Sequence, residues 1–531
     1  MIRLTILSTL LLLTVGTAIG QSVSHQWTAE KRLPGYQQII AQKDGAIYLE
    51  RSLYGTLGNS EYEPEIARYD QQGNITHIVE VAGVETKPYQ VFASVDSPEG
   101  IAALYLTTDD REKQYYTVSA QLYGHADLVP GAIVDLMKVK YHSDSKAKIR
   151  TYRAGQQLFI EQVLSPDRSK LAILMTEEQV GRRKSTVMTY SVFDLEDNFR
   201  ELNSGTIETE NSSDQYLLQD LDVNNVGELS ILMKEYFADS SYEFIDDKAS
   251  YRYSLYFNTT NTTSYIYDIY VKSVFIDDMQ AAIDDEGTVY VTGLTREKPE
   301  NDVYGTRLVK LMPDGILAYD KVRAFSEKEI KIIRNKNRDH LQSQFTTIDA
   351  RVAQGIVYLI HQYSQLQISF RNQDMRFGTF GNTMPLHGGQ RELFYDKENV
   401  IVQAYEPANG NMMWMANNPR RVEDQDETEY FSFGNIHLHD NGLLFLYNER
   451  PDNIARIKQN ERPKQLNLPR GRGSVTMVRI SDTGRITYDI VGDRDNFHIP
   501  TQGSLLTGNT ISTLAVQRGY SRFKIGQIVL D

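Results

Sequence analysis

The sequence predicts an all-β chain built as a single β-propeller, with eight four-stranded blades as the reading and seven as the alternative count. Three observations predict it. Dense apolar runs follow Gly, Asn or Asp turns along the whole chain. Those runs are nearly continuous rather than alternating, as in strands covered on both faces. The 531 residues also exceed the roughly 250–300 that one core sustains, so the fold extends by repetition or by domains. Four-stranded sheets covered on both faces and repeated radially make a propeller. A β-helix needs a shorter period, stacked sandwiches a cleaner alternation, and an outer-membrane barrel longer alternating strands with less charge.

The first twenty residues stand apart. Arg3 supplies a positive start, Leu4 to Val15 is apolar, and Ala18-Ile19-Gly20 offers small residues for cleavage. That pattern is a secretory signal peptide, too short to span a bilayer as a helix. The expected division is therefore a signal at 1–20 and a propeller at 21–531. No later stretch reaches 18 apolar residues, so the mature chain is expected to be exported, periplasmic or extracellular, and not membrane-spanning.

Repeating units follow. Asp44-Gly45 precedes Ala46-Ile47-Tyr48-Leu49, and Pro98-Glu99-Gly100 precedes Ile101 to Leu106. Ser165-Pro166-Asp167 leads into Leu171 to Met175, Asn225-Val226-Gly227 into Leu229 to Met233, and Asp285-Glu286-Gly287 into Val289-Tyr290-Val291. Gln354-Gly355, Asp440-Asn441-Gly442 and Gly508-Asn509 open the last three runs. An Asx-Gly turn before β-branched and aromatic residues is a hairpin signal. More polar hairpins follow at Gln72-Gly73-Asn74, Pro313-Asp314-Gly315, Ala408-Asn409-Gly410 and Asp482-Thr483-Gly484. Each unit thus reads as four antiparallel strands, opening at Tyr36, Tyr89, Gln157, Tyr216, Phe275, Phe345, Tyr430 and Pro500. The eighth supplies only three strands before the chain ends, and Gln26 to Glu30 has no partner hairpin. The segment is expected to pair with Phe523 to Leu530 and close the ring, which removes an open edge. One helical insertion is expected near 326–341, where Ser326-Glu327-Lys328-Glu329 fits a capping box and Ile330, Ile333 and Leu341 share a face.

Composition narrows the functional classes. Hydrophobic residues at 40% with 24% charged describe a folded, water-soluble chain. A net charge of −14 argues against nucleic acid or an anionic lipid surface as the main partner. Zero cysteine excludes disulfides, thiolate metal sites, a cysteine nucleophile and a lipid-modified N-terminal cysteine. The sequence has no Gly-x-Ser-x-Gly elbow, no His-Glu-x-x-His helix and no phosphate-binding loop.

Weaker signals read as structure first. His437 and His439 share a strand face but have no third ligand by spacing. Asp220, Asp222 and Asn224 alternate like a calcium loop, yet Asn225 stands where a glycine is needed. The neighbours Asp277-Asp278 and Asp284-Asp285 suggest a glycosidase pair, but adjacent strand residues point to opposite faces and turns are rich in Asp. The run Glu423 to Glu427 and the basic stretch Arg456 to Arg472 read as solvated loops. Trp414 is the most informative residue: Ala404 to Trp414 resembles the tryptophan-docking motif of quinoprotein propellers, with Glu, Asn and Asn in place of Asp, Thr and Lys. There the tryptophan clamps neighbouring blades, which suits the area an indole buries. Trp27, in the closing segment, is given a structural role too.

Glu392 to Asn448, with Gly410-x-x-x-Trp414, Pro419-Arg420-Arg421 and Leu446-Tyr447-Asn448, resembles an uncharacterised family of secreted Bacteroidetes proteins. Ser165-Pro166-Asp167, Asp222 to Gly227 and Val478 to Gly484 fall in the same order as in that family. The resemblance implies a propeller and an envelope location, with no activity or cofactor attached.

The resulting expectation is an exported, non-catalytic propeller that binds a ligand or scaffolds a partner, monomeric and without a cofactor. The longest loops, Arg371–Arg391 and Asn417–Glu429, carry Arg371, Arg376, Arg391, Arg420 and Arg421. These are placed to grip an envelope protein, an acidic peptide or an anionic glycan by charge-assisted hydrogen bonds. A propeller glycoside hydrolase or lyase, needing converging acids in the channel, and an envelope assembly scaffold are the alternatives.

Overall fold

In a computed structural model of the chain, the structure describes residues 23–32, 36–52, 64–81, 89–108, 115–140, 158–177, 187–209, 216–237, 244–245, 248–259, 264–271, 274–298, 302–333, 345–370, 391–424, 435–439, 442–468, 470–500, 503–517 and 522–530. They form eight four-stranded antiparallel units, the blades of a propeller. The innermost strands, in order, are Tyr36–Lys43, Tyr89–Ser97, Leu158–Leu164, Tyr216–Val223, Phe275–Ile283, Phe345–Ala353, Ile436–His439 and Ser504–Thr507.

The apolar runs explain the ring. In blade 2, Ile101, Ala103 and Tyr105 pack with Ile40, Ala41 and Tyr48 of blade 1. Their sequence neighbours Ala102, Leu104 and Leu106 pack with Leu171, Ile173 and Met175 of blade 3. Successive side chains of a strand point to opposite faces, so a continuous run serves two interfaces at once. Equivalent clusters join blades 3 and 4, 4 and 5, 5 and 6, 6 and 7, and 7 and 8. Leu514, Phe523 and Ile525 meet Ile47, Leu49 and Tyr69 to join blade 8 to blade 1.

The closing strand is the expected one, displaced slightly toward the N-terminus. Val23–Trp27 pairs antiparallel with Gly526 to Leu530, and Lys31–Arg32 with Arg522 and Phe523. The first helix, Glu327–Ile333, begins at the expected cap: Glu329 accepts from the Ser326 amide at 2.7 Å and Ser326 Oγ from the Glu329 amide at 3.4 Å. Residues 334–344, including Leu341, lie outside the described residues, as does Tyr430.

Three features depart from the reading. The basic stretch expected as loop begins inside a second helix, Pro451–Lys458, with Pro at its first turn, Asp452 near its start and Arg456 and Lys458 near its end. The expected loop Asn417–Glu429 is partly strand: Asn418 ends Met412–Asn418, and Val422–Asp424 pairs parallel with Leu466–Leu468. The central hairpin of blade 6 is made of two 15-residue strands, Ile356–Phe370 and Arg391–Tyr405, so it runs well past the blade.

Strand direction sorts the connections onto two faces. Each inner strand runs toward a tight turn, so the joints between first and second strands and between third and fourth strands share one face, the turn face. Interblade connections and the joints between second and third strands share the other, the loop face. The long hairpin of blade 6, both helices and the parallel strand pair all belong to the loop face.

Candidate functional site

Inner strands line the channel, and five of them carry a β-bulge near mid-strand: between Ile39 and Ala41, Val91 and Ala93, Leu218 and Asp220, Ile276 and Met279, and Thr347 and Asp349. A bulge sharpens the local twist and re-aims side chains. In blades 4 and 6 it presents carboxylates. Asp220 Oδ2 accepts the Ala281 amide of blade 5 at 2.8 Å, and Asp222 Oδ2 accepts the Ile283 amide at 3.0 Å. Asn224 Nδ2 donates to the Asp284 carbonyl at 2.7 Å. The calcium-like alternation is therefore a stitch along the free edge of the neighbouring inner strand, satisfying donors that would otherwise lack partners.

Asp349 and Arg351, two apart on blade 6, complete the group: Arg351 Nε donates to Asp349 Oδ2 at 3.0 Å. Burial, then repulsion from Asp222 and Asp349, pushes Asp220 up to about 7. Burial pushes Asp222 up to about 6, against the pull of Arg351. Asp349 is raised by burial, and Arg351 is held charged chiefly by Asp349. The surrounding strands enclose the group without sealing it: Arg351 keeps 38% of its side chain accessible and Asp349 19%. His437, on blade 7, is pushed down to about 4 by burial and by the cations Arg351 and Arg168. Its Nε2 lies 3.0 Å from Ser504 Oγ, and His439 Nε2 lies 3.4 Å from Asn509 Oδ1, so both join blade 7 to blade 8. Among the described residues no three His, Asp or Glu side chains are grouped to hold a metal ion.

Near the turn face, Arg168 reaches past blade 2 to donate to the Ile40 carbonyl of blade 1 at 3.0 Å. Its φ is +63°, at a turn where blades 1, 4, 5 and 6 place Gly45, Gly227, Gly287 and Gly355. A left-handed arginine costs roughly 1–2 kcal/mol relative to glycine. Asp96 and His125 lie nearby, joined by an Oδ1–Nε2 contact of 2.9 Å.

The arginines expected to bind a ligand are dispersed. Arg371 and Arg376 lie outside the described residues; Arg391 begins the returning strand of the long hairpin. Arg420 is fully buried, with its guanidinium 4.6 Å from the Tyr447 ring centroid. Arg421 Nε lies 3.8 Å from Glu398 Oε1, which Arg462 also approaches at 3.5 Å. Burial lifts the neighbouring Glu449 to about 7. Its Oε1 accepts from the Arg450 amide and from Asn453 Nδ2, each at 2.7 Å. Arg420 is thus an interior cation under the loop-face platform.

Both tryptophans join blades. Trp414 Nε1 donates to the Asp482 carbonyl of blade 7, and the indole covers Gly484, where an added Cβ would meet it at 2.8 Å. Trp27 Nε1 donates to the Val491 carbonyl of blade 7, with the indole across Gly526. Sequence reasoning missed Asp349, Arg351 and Arg168. The first two carry only a two-residue alternation as signal; for Arg168 the available signal was an arginine where sibling turns place glycine.

The chain matches no family model and no curated protein. It is similar to the β-propeller domain of the Trilobed protease from Pyrococcus furiosus, at 10% identity over 87% of this chain and 99% of that one, with a TM-score of 0.35. It is similar to prolyl oligopeptidase B from Galerina marginata at 11% identity, over 95% of this chain and 55% of that one, with a TM-score of 0.36. The WD40 domain of SCAP from fission yeast is similar at 7% identity, over 94% of this chain and 98% of that one, with a TM-score of 0.32. These likenesses assign no activity; the eight-bladed fold rests on the chain's own strand pairing.

Proposed function

We propose that this protein is an exported, non-catalytic binding module of the cell envelope, akin to the secreted Bacteroidetes family it resembles, with its partner seated on the loop face over blades 6 and 7. One observation carries the reading: the long hairpin, the parallel strand pair and the second helix all elaborate the same face. Binding residues concentrate on loops held by a rigid scaffold. No helix among the described residues is long and apolar enough to cross a membrane. Arg391, which begins the returning strand, and Arg421 belong to this elaboration, with Arg420 supporting it from within. The test is capture from an envelope fraction by the native protein, by a variant with 371–390 replaced by a short Gly-Ser turn, and by a turn-face variant, Asp314→Ala. Loss of a discrete partner with the first variant alone supports the reading; equal capture by all three defeats it.

The enzyme reading has a specific observation in its favour, the raised carboxylates Asp220, Asp222 and Asp349 beside Arg351. Against it, each of the first two spends one oxygen on a blade 5 amide and the other on the next amide of its own strand. New reducing ends released from a polysaccharide by the native protein, and lost in Asp349→Asn, would favour hydrolysis over binding.

A further inference from the structure

We propose that a basic ridge on the loop face of blade 7, formed by Arg470, Arg472 and Arg494, binds an anionic polysaccharide. The inference rests on the loop face being the binding face, and it names a ligand class and residues for it.

Residues 450–472 hold seven Lys or Arg and two acidic residues, inside a chain whose net charge is −14. Four of the seven are committed: Arg450 to Asp452 at 3.2 Å, Arg456 to Glu461 at 3.0 Å, Arg462 to Glu398 at 3.5 Å and Lys464 to Asp452 at 3.2 Å. Lys458, Arg470 and Arg472 are exposed and make no ion pair among the described residues. Backbone pairing then adds a fourth free cation. Gly473 and Asp495 exchange hydrogen bonds of 3.1 and 3.0 Å, and this antiparallel bridge sets Arg472 and Arg494 diagonally across from one another, each one residue from it. Arg494 is exposed and likewise without an ion pair among the described residues. The local acids do not neutralise the ridge: of the two acids in 492–497, Asp495 is held by Lys524 at 2.7 Å, which leaves the exposed Asp493 against three arginines.

Charge alone makes the recognition. No large hydrophobic side chain is exposed among the described residues of 450–473 or 492–497. A lipid surface calls for apolar groups that insert, and a docked peptide for pockets that hold its side chains. A polymer of acidic sugars needs neither; it presents carboxylates or sulfates at intervals, and a guanidinium pairs with each through two parallel hydrogen bonds. The acidic remainder of the surface repels such a polymer, so the ridge also fixes where it lands.

The test measures binding of polygalacturonate, dextran sulfate and neutral dextran to the full mature chain across a salt series. Three proteins are compared: native, the ridge triple R470Q/R472Q/R494Q, and a charge-matched control K248Q/K328Q/K331Q. The expected result is binding of a polyanion, with carboxylate and sulfate polymers distinguishing the headgroup, and none of neutral dextran. The ridge triple should bind at least about tenfold more weakly with a shallower salt dependence, and the control unchanged. Absence of polyanion binding, equal binding of neutral dextran, or equal weakening in both triples would overturn the proposal. Polyanion binding kept by the ridge triple but lost on shortening 371–390 would sink the ridge and leave the loop-face reading standing.

Discussion

Trp27→Ala probes the joint that turns eight sheets into a ring. The indole lies across Gly526, with an added Cβ meeting it at 2.9 Å, and its Nε1 donates to the Val491 carbonyl of blade 7. Truncating a fully buried tryptophan costs about 3–5 kcal/mol. Trp27 is half-buried, so the loss of packing and of one hydrogen bond comes to about 2–3 kcal/mol. Spread over a ring that unfolds as one unit, that shifts the melting temperature by only about 2–3 °C, because the unfolding entropy of such a large chain is near 1 kcal/mol per degree. The informative assay is therefore local. Hydrogen exchange in Thr510–Gln517 and Arg522–Leu530 should quicken by about 30–140-fold, the population change that 2–3 kcal/mol corresponds to. Deleting residues 21–34 removes the whole outer strand of blade 8, and a synthetic peptide of that sequence should restore protection. Unchanged exchange in both strands after the deletion would refute closure by the N-terminal strand.

Three further outcomes follow from the geometry. Asp220 is raised to about 7 in the fold, so its ionisation costs nothing below the unfolded carboxylate value near 4 and costs fully above about 7. Asp220→Asn forfeits one amide contact at every pH, but its stability relative to native should rise by about 1–3 kcal/mol between pH 4 and pH 8; a pH-independent difference in urea midpoints contradicts this. Trp414→Ala should cost about 2–3 kcal/mol, since the indole is half-buried over Gly484, with faster exchange at the joint of blades 6 and 7 as its sign. Ser326→Ala should lose about 1 kcal/mol by uncapping the first helix, read in exchange of the 327–333 amides, which would stay slow if the cap were idle.

Much of the architecture was legible because propeller blades obey a local rule. A strand such as Ile101 to Leu106, apolar at every position, has to be covered on both sides, and an Asx-Gly turn before it sets the hairpin. The second helix is hidden by the nine charged residues of 450–472: the excursion is polar outside, and only Asn453 and Ile454 turn inward. The polar surroundings of Arg420 predict a loop, whereas it stacks on Tyr447 beside a buried glutamate, a contact between chain segments some 27 residues apart. Arg168 carries no local signal, because its meaning lies in comparison with sibling turns and in a partner 128 residues away.

The sequence by itself determined the strand content, the repeat, the closing segment and the first helix, since turns, caps and runs buried on both faces act through neighbours in the chain. Tertiary structure alone decided that the elaborations gather on one face. It also decided that Asp220 and Asp222 meet Asp349 and Arg351, and that Arg472 and Arg494 flank one bridge between distant segments. Those outcomes depend on which blade stands beside which, and burial and charge change a side chain's chemistry only once distant strands have brought the groups together.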